Sequence, residues 1–251
     1  MRVTRELRRP LAVVAHRGAS ATHPENTAAA FHEAIRLGVE CIELDIHRSA
    51  DGGLILIHDG TVDRTSDGSG KVAELTTAEI LALDAGSWFD PAWANEHFLL
   101  LQEALELIPA AIRLNVHVKA YDHDRQLLAP EVVDVLQAQG RLDNAFMAAD
   151  EATLICARQR QRSLEICNLS VQPAQDYVQR SSRINCCILQ PSHAMTTVQM
   201  VSDAHALGME VNPFFADDEQ EMRRLGDCGV DGILTNQPAR LQDVRRSLMS
   251  C

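Results

Sequence analysis

Residues 11–46 read LAVVAHRGASATHPENTAAAFHEAIRLGVECIELDI, and this stretch decides the fold class. An apolar run at 11–16 is followed by a helical pattern at 27–37, with Phe31, Ala34 and Ile35 on one face, and by a second apolar run at 41–46. Gly38 stands where a helix ends in the left-handed conformation that glycine adopts without steric cost. Short apolar runs alternating with helical patterns mark an α/β fold with a largely parallel sheet.

Outward from this stretch the alternation runs almost to the end of the chain. Further strand-like runs lie at about 54–58, 114–119, 145–149, 165–171, 186–190, 209–215 and 232–235. With the first two they make nine, one more than a closed eight-stranded barrel uses. The Asp51-Gly52 turn suggests that 41–46 and 54–58 form a hairpin, with no helical crossover between them. Pro130 opens a helical segment with Val132, Val133 and Leu136 on one side, ending at Gly140. Residues 194–207 and 217–225 are amphipathic as well, followed by Gly208 and by Gly226 or Gly229. Residues 59–100 differ. They are rich in Asp, Gly, Ser and Thr, hold both tryptophans, and carry a capping-box pattern from Thr76 to Glu79, so they read as an excursion over the active-site end.

At 251 residues and 46% hydrophobic content the chain has material for one α/β barrel or one large open sheet, and a single domain over 1–251 is expected. A net charge of −12 disfavours nucleic acid and anionic membrane surfaces as partners, although a few converging cations still bind a small anion. The seven cysteines show no C-x-x-C pair or zinc spacing and read as reduced and structural. Cys186 and Cys187, adjacent in a strand-like run, face opposite ways. Arg5, Arg8 and Arg9 ahead of an apolar run resemble a signal peptide superficially, but the run is too short. No membrane span is long enough, and a cytoplasmic location is expected.

Glu43 and Asp45, two apart in a strand, project to one face while Ile42, Leu44 and Ile46 take the other. Paired carboxylates repel unless a cation sits between them, and Mg²⁺, Ca²⁺ or Mn²⁺ suits oxygen ligands; the same spacing also fits the solvated face of an edge strand. Asn115, His117 and Lys119 repeat the design against Leu114, Val116 and Val118. They fit either a site or an exposed strand face. His117 is a ligand candidate and Lys119 a phosphate-binding candidate. His16 and His58 each follow an apolar run, where barrel enzymes keep catalytic groups, and with Arg17 they point to acid/base chemistry on a charged ester.

Taken in order, His16-Arg17-Gly18-Ala19, Pro24-Glu25-Asn26-Thr27, Glu43-Leu44-Asp45, Asp51-Gly52, His58-Asp59, Arg64-Thr65 and Leu83-Asp84-Ala85-Gly86-Ser87-Trp88-Phe89 resemble the glycerophosphodiester phosphodiesterase family. Gly229-Val230-Asp231-Gly232-Ile233-Leu234-Thr235 continues the likeness. The resemblance implies a (β/α)8 TIM-type barrel with a small insertion after the His58 strand. It implies hydrolysis of a glycerophosphodiester, a small-molecule substrate, to glycerol 3-phosphate and an alcohol. It also implies His16 and His58 as general acid and base, Arg17 on phosphate, and Glu43 and Asp45 as metal ligands. Three departures stand out. His117 replaces a glutamate that completes the metal site, which shifts preference toward Mn²⁺ or Zn²⁺. Phe214-Phe215-Ala216-Asp217 replaces Trp-Thr-Val-Asn, with Phe214 keeping an apolar substrate wall. Asn236 stands in place of an aspartate. Two rival expectations are a phospholipase-D-like lyase that forms a cyclic phosphate and a non-catalytic phosphodiester-binding protein with an altered metal site. Oligomeric state and accepted alcohol are not legible.

Overall fold

The computed structural model describes residues 11–170, 172 and 175–249. Eight strands run parallel: β1 (Ala12–His16), β2 (Cys41–Arg48), β4 (Arg113–Val118), β5 (Ala145–Ala149), β6 (Glu165–Asn168), β7 (Ile188–Leu189), β8 (Glu210–Val211) and β9 (Gly232–Thr235). Their order is β8-β7-β6-β5-β4-β2-β1-β9. Backbone hydrogen bonds close the ring, from Asp231 N to Val211 O at 3.0 Å and from Leu234 N to Pro213 O at 3.0 Å. The ninth strand-like run is β3 (Leu54–Leu56), an antiparallel partner of β2 that stands off the barrel. The hairpin read from Asp51-Gly52 is therefore present, and Gly52 takes φ +97°, which such a turn demands.

Helices α1 (Ala28–Leu37), α3 (Leu101–Leu107), α4 (Arg125–Ala138), α5 (Glu151–Arg160), α6 (Tyr177–Arg183), α7 (Val198–Ala206), α8 (Glu219–Cys228) and α9 (Pro238–Met249) fill the crossovers. Most are bounded as their sequences suggest. Thr27 caps α1 by accepting from Ala30 N, and Gly38 ends it at φ +71°. Asp218 caps α8, which stops at Gly229. Helix α4 differs from expectation: it starts at Arg125, and Pro130 lies within it. The Asp124 carbonyl accepts from both Leu127 and Leu128, a tight opening turn that precedes the proline.

Alternation along the strands sorts the core into two shells. Val13, Ile42, Leu44, Leu114, Val116 and Met147 face outward onto the helices. Val14, Cys41, Phe146, Ala148, Cys167, Ile188 and Leu234 face inward and fill the barrel, each buried aliphatic chain contributing about 1.5–3 kcal/mol. Cys186 belongs to the outer shell and Cys187 packs against the inner one, on opposite faces as expected. The inner plug closes the floor of whatever sits at the C-terminal ends of the strands.

Between β3 and α3 the excursion carries its own small core of Ile55, Ile57, Val62, Val72, Ile80, Ala85 and Phe98. It includes α2 (Thr77–Leu81), which opens with the expected Thr76–Glu79 capping box. Among the described residues no helix is long and apolar enough to cross a membrane.

Candidate active site

Strand register assembles the site. His16 on β1 is level with Glu43 on β2, and Glu43 is level with Asn115 on β4. One step further along, Asp45 is level with His117. The period of two that selected these residues in sequence therefore turns all of them into the barrel mouth. His117 Nδ1 lies 3.1 Å from Asp45 Oδ1 and 3.8 Å from Glu43 Oε1. One atom from each of these three residues falls within 4.8 Å of the other two.

The loops after β1 lock this geometry. Arg17 (φ +57°) and Gly18 (φ +81°) turn left-handed, so that Arg17 N–H donates to Glu43 Oε2 at 2.9 Å. A side chain on Gly18 would come within 2.7 Å of the Ala30 carbonyl carbon, so the glycine lets α1 close on the loop. Asn26, also left-handed, donates to Asp45 Oδ2 at 3.2 Å. The Arg17 guanidinium reaches Glu25 at 2.9 Å and Asp45 at 3.2 Å, and Lys119 Nζ lies 3.2 Å from Asp45 Oδ1.

The two buried acids are driven apart. Burial opposes ionisation of Asp45, but His117, Lys119 and Arg17 outweigh it and hold its carboxyl well below the usual range. Glu43 has less cationic support, and burial together with the Asp45 charge pushes it well above. His117 is lowered, chiefly by burial, which favours the neutral imidazole that ligates metals. Asp45 Oδ1 is buried with no hydrogen-bond partner, although His117 and Lys119 stand beside it. Two carboxylates and a neutral imidazole, with an oxygen left over, are a donor set that fits a divalent ion.

The two remaining histidines are mounted differently. His16 Nδ1 contacts Asn236 Oδ1 at 2.7 Å, its ring stacks on Phe215 with centroids 5.4 Å apart, and its Nε2 lies 3.9 Å from Glu43 Oε2. Burial and the Arg17 charge lower its pKa to about 4. The Asn236 amide nitrogen donates to Asp217 Oδ2 at 2.7 Å, and Asp217 Oδ1 accepts from Thr235 and from Asn236 N–H. His58 follows β3, off the barrel wall. Its Nδ1 meets Asp59 Oδ1 at 2.7 Å, and Asp59 is held down to about 2 by Arg64, with His58 adding to the effect. Buried His47, whose own pKa is lowered by burial, contacts the His58 carbonyl at 3.1 Å.

A cavity of about 490 Å³ joins His16, Arg17, Glu43, His58 and His117 to Asn115, Gln172, Gln190, Phe214 and Phe215. Every site residue singled out in sequence lines this cavity except Asp45, directly behind it, and Lys119, which lines an adjoining cleft with His58 and His117. Sequence reasoning missed His47, Phe215, Gln190 and Gln172. His47 continues the inward series of Glu43 and Asp45, so its signal was present. The others sit on loops where no period applies.

Residues 16–240 match the sequence profile of the glycerophosphoryl diester phosphodiesterase family. The chain is 32% identical over 239 residues to a glycerophosphodiester phosphodiesterase of Caldanaerobacter subterraneus subsp. tengcongensis, covering 93% of this chain and 97% of that one. A phosphodiesterase of Oleispira antarctica, solved with its product sn-glycerol 3-phosphate, superposes with a TM-score of 0.88 at 29% identity, covering 93% of this chain and 96% of the other. A glycerophosphodiester phosphodiesterase of Agrobacterium tumefaciens gives 0.82 at 27% identity, covering 93% and 99%.

Proposed function

Because this chain belongs to the glycerophosphoryl diester phosphodiesterase family, we propose that it hydrolyses glycerophosphodiesters to glycerol 3-phosphate and an alcohol, with two-histidine acid/base catalysis and a divalent metal. The observation that carries this reading is one cavity shared by two imidazoles with different supports, a carboxylate–imidazole triad and an arginine. Glu43, Asp45 and His117 would hold the ion, and the imidazole favours Mn²⁺ or Zn²⁺ over Mg²⁺ or Ca²⁺. Bound there, such an ion supplies Lewis-acid charge to a phosphoryl oxygen.

The roles of the residues follow from their partners. The Asp217 carboxylate only accepts, so it turns the Asn236 amide with nitrogen toward itself and oxygen toward His16. His16 Nδ1 must then carry the proton, which leaves Nε2 as a bare lone pair. With its pKa depressed by burial, His16 serves as the base that takes a proton from the attacking hydroxyl or water. His58 Nδ1 contacts the Asp59 carboxylate, which fixes the ring's orientation, and His58 serves as the acid that protonates the leaving alkoxide. Arg17 and Lys119 bring positive charge to the phosphate oxygens, and Phe214 walls the substrate.

Glycerol 3-phosphate release by His16→Ala and His58→Ala tests the reading. A loss of about 10²–10⁴-fold in each is expected. Near-normal turnover in either variant removes that histidine, and full activity after exhaustive chelation removes the metal. A cyclic phosphate as the final product assigns the lyase reaction instead.

A further inference from the structure

Away from its charges, the cavity is furnished with amides. Asn115 on β4 and Gln190 just beyond β7 are 1% and 2% exposed, and both line the cavity. Each presents a buried polar atom without a partner among the described residues, Asn115 Oδ1 and Gln190 Nε2. Among the described residues the other end of the Gln190 amide meets only Cys167 Sγ, at 3.6 Å, so exchanging its oxygen and nitrogen still leaves a bare polar atom. Gln172 completes the group by donating to the Gln190 carbonyl at 2.7 Å. In the strand order β5 and β6 separate Asn115 from Gln190: Asn115 is level with the inward Phe146, and one inward step further Ala148 is level with Cys167, which touches Gln190.

A buried donor and a buried acceptor are satisfied together by hydroxyl groups, each of which gives and takes a hydrogen bond. Beside the amides, Leu169, Phe214 and Leu234 offer an apolar surface for the C–H faces of a polyol. Among the described residues of the lining, a cationic headgroup is offered only the rings of Phe214 and Phe215 and, apart from Glu43 of the proposed metal cluster, no carboxylate. The nearby carboxylates are committed: Glu25 to Arg17 and Arg64, Asp217 to Thr235 and Asn236, and Asp150 to the start of α5. An ammonium would instead be stripped of water beside Arg17 and Lys119.

Resting on the hydrolase reading above, we propose that the Asn115–Gln190 wall is the subsite for the alcohol half of the diester, and that this alcohol is an uncharged polyol of glycerol to inositol size. Choline and ethanolamine diesters are poor substrates.

The test compares kcat/KM of the metal-loaded protein on glycerophosphoglycerol, glycerophosphoinositol, glycerophosphocholine and glycerophosphoethanolamine. A preference of about tenfold or more for the two polyol diesters is expected. Gln190→Leu should lose about tenfold more on polyol diesters than on the choline diester, since it strips the hydrogen-bonding atoms. Gln190→Glu keeps the shape, which guards against a folding failure, and should move preference toward the cationic headgroups. Equal or better turnover of the choline diester by the unmodified protein overturns the proposal. So does an equal loss on all four substrates in Gln190→Leu, which would put the glycerol half on this wall. If no diester is hydrolysed, the hydrolase reading falls on its own, and saturation-transfer NMR with free myo-inositol and free choline decides the subsite. Inositol binding that Gln190→Leu abolishes supports it, and choline binding of equal strength sinks it.

Discussion

Asn236 gives its amide N–H to Asp217 over 2.7 Å and turns its oxygen to His16 Nδ1 over the same distance. In the resemblance read from the sequence, asparagine would stand at position 217 and aspartate at position 236. Against that pattern the acid and the amide stand exchanged across the contact. Asn236→Asp alone sets two carboxylates against each other, and should lower kcat/KM and thermal stability together. The double variant Asp217→Asn/Asn236→Asp should recover most of both, with a coupling of about 1–3 kcal/mol in the double-mutant cycle. Independent, additive losses would show that the pair does not position His16.

His117→Glu adds a third carboxylate to Glu43 and Asp45. The metal-free protein should melt at a lower temperature than the parent, because three acids repel in a buried space. Added Mg²⁺ or Ca²⁺ should restore stability more strongly than in the parent, as the harder donor set suits those ions. Scanning calorimetry with each ion measures both effects, and an unchanged order of ion preference would contradict them.

Gly18→Ala asks an alanine to hold φ +81° and to push its methyl to 2.7 Å from Ala30. A destabilisation of about 2–4 kcal/mol is expected in urea titration, with loss of activity, since the same loop aims Arg17 N–H at Glu43. A loss below about 1 kcal/mol would mean that the loop yields easily.

Arg141 is buried, and its guanidinium donates to the carbonyls of Leu105, Ile108 and Ile112 at 3.2, 2.7 and 3.0 Å. It satisfies the end of α3 and the turn into β4. Arg141→Met should cost about 2–4 kcal/mol by leaving those carbonyls unpaired, yet leave KM unchanged because the residue is remote from the cavity.

Asp51 accepts from the Thr77 hydroxyl, the Thr77 N–H and the Ser49 hydroxyl, which hold its carboxyl down to about 2. A depressed carboxyl stabilises the fold above its unfolded pKa of about 3.9, and that contribution fades as pH falls through about 2. Acid unfolding followed by circular dichroism should show Asp51→Asn less stable than the parent above about pH 4, with the curves converging near pH 2. A gap independent of pH would rule out the ionised form as the stabilising one.

Much of the site was legible because strands impose a period of two. Glu43 with Asp45, and Asn115 with His117, could point only one way once Ile42, Leu44 and Val116 claimed the other face. The surplus strand at 54–58 was legible as a hairpin from Asp51-Gly52 alone. Barrel closure was not, because the bonds joining 211–216 to 231–234 are made by backbone atoms, apart from the Asp231 carboxylate that accepts from Val211 N–H, and leave no periodic side-chain pattern. The runs at 186–190 and 209–215 shrink to two paired residues each, since hydrophobicity marks burial and not pairing. Pro130 misled for a related reason: it fits the first turn of a helix best, yet the tight opening at Asp124 lets the helix begin earlier.

His58 rides on an antiparallel hairpin, while His16 and the carboxylate triad stand on the staves of the barrel itself. The proposed acid and the proposed base thus have separate carriages. Substitutions in the small core of the excursion can shift the donor relative to a departing alcohol while leaving the phosphate grip on its rigid frame, so the leaving group is the part of the substrate to which this scaffold can most cheaply adapt.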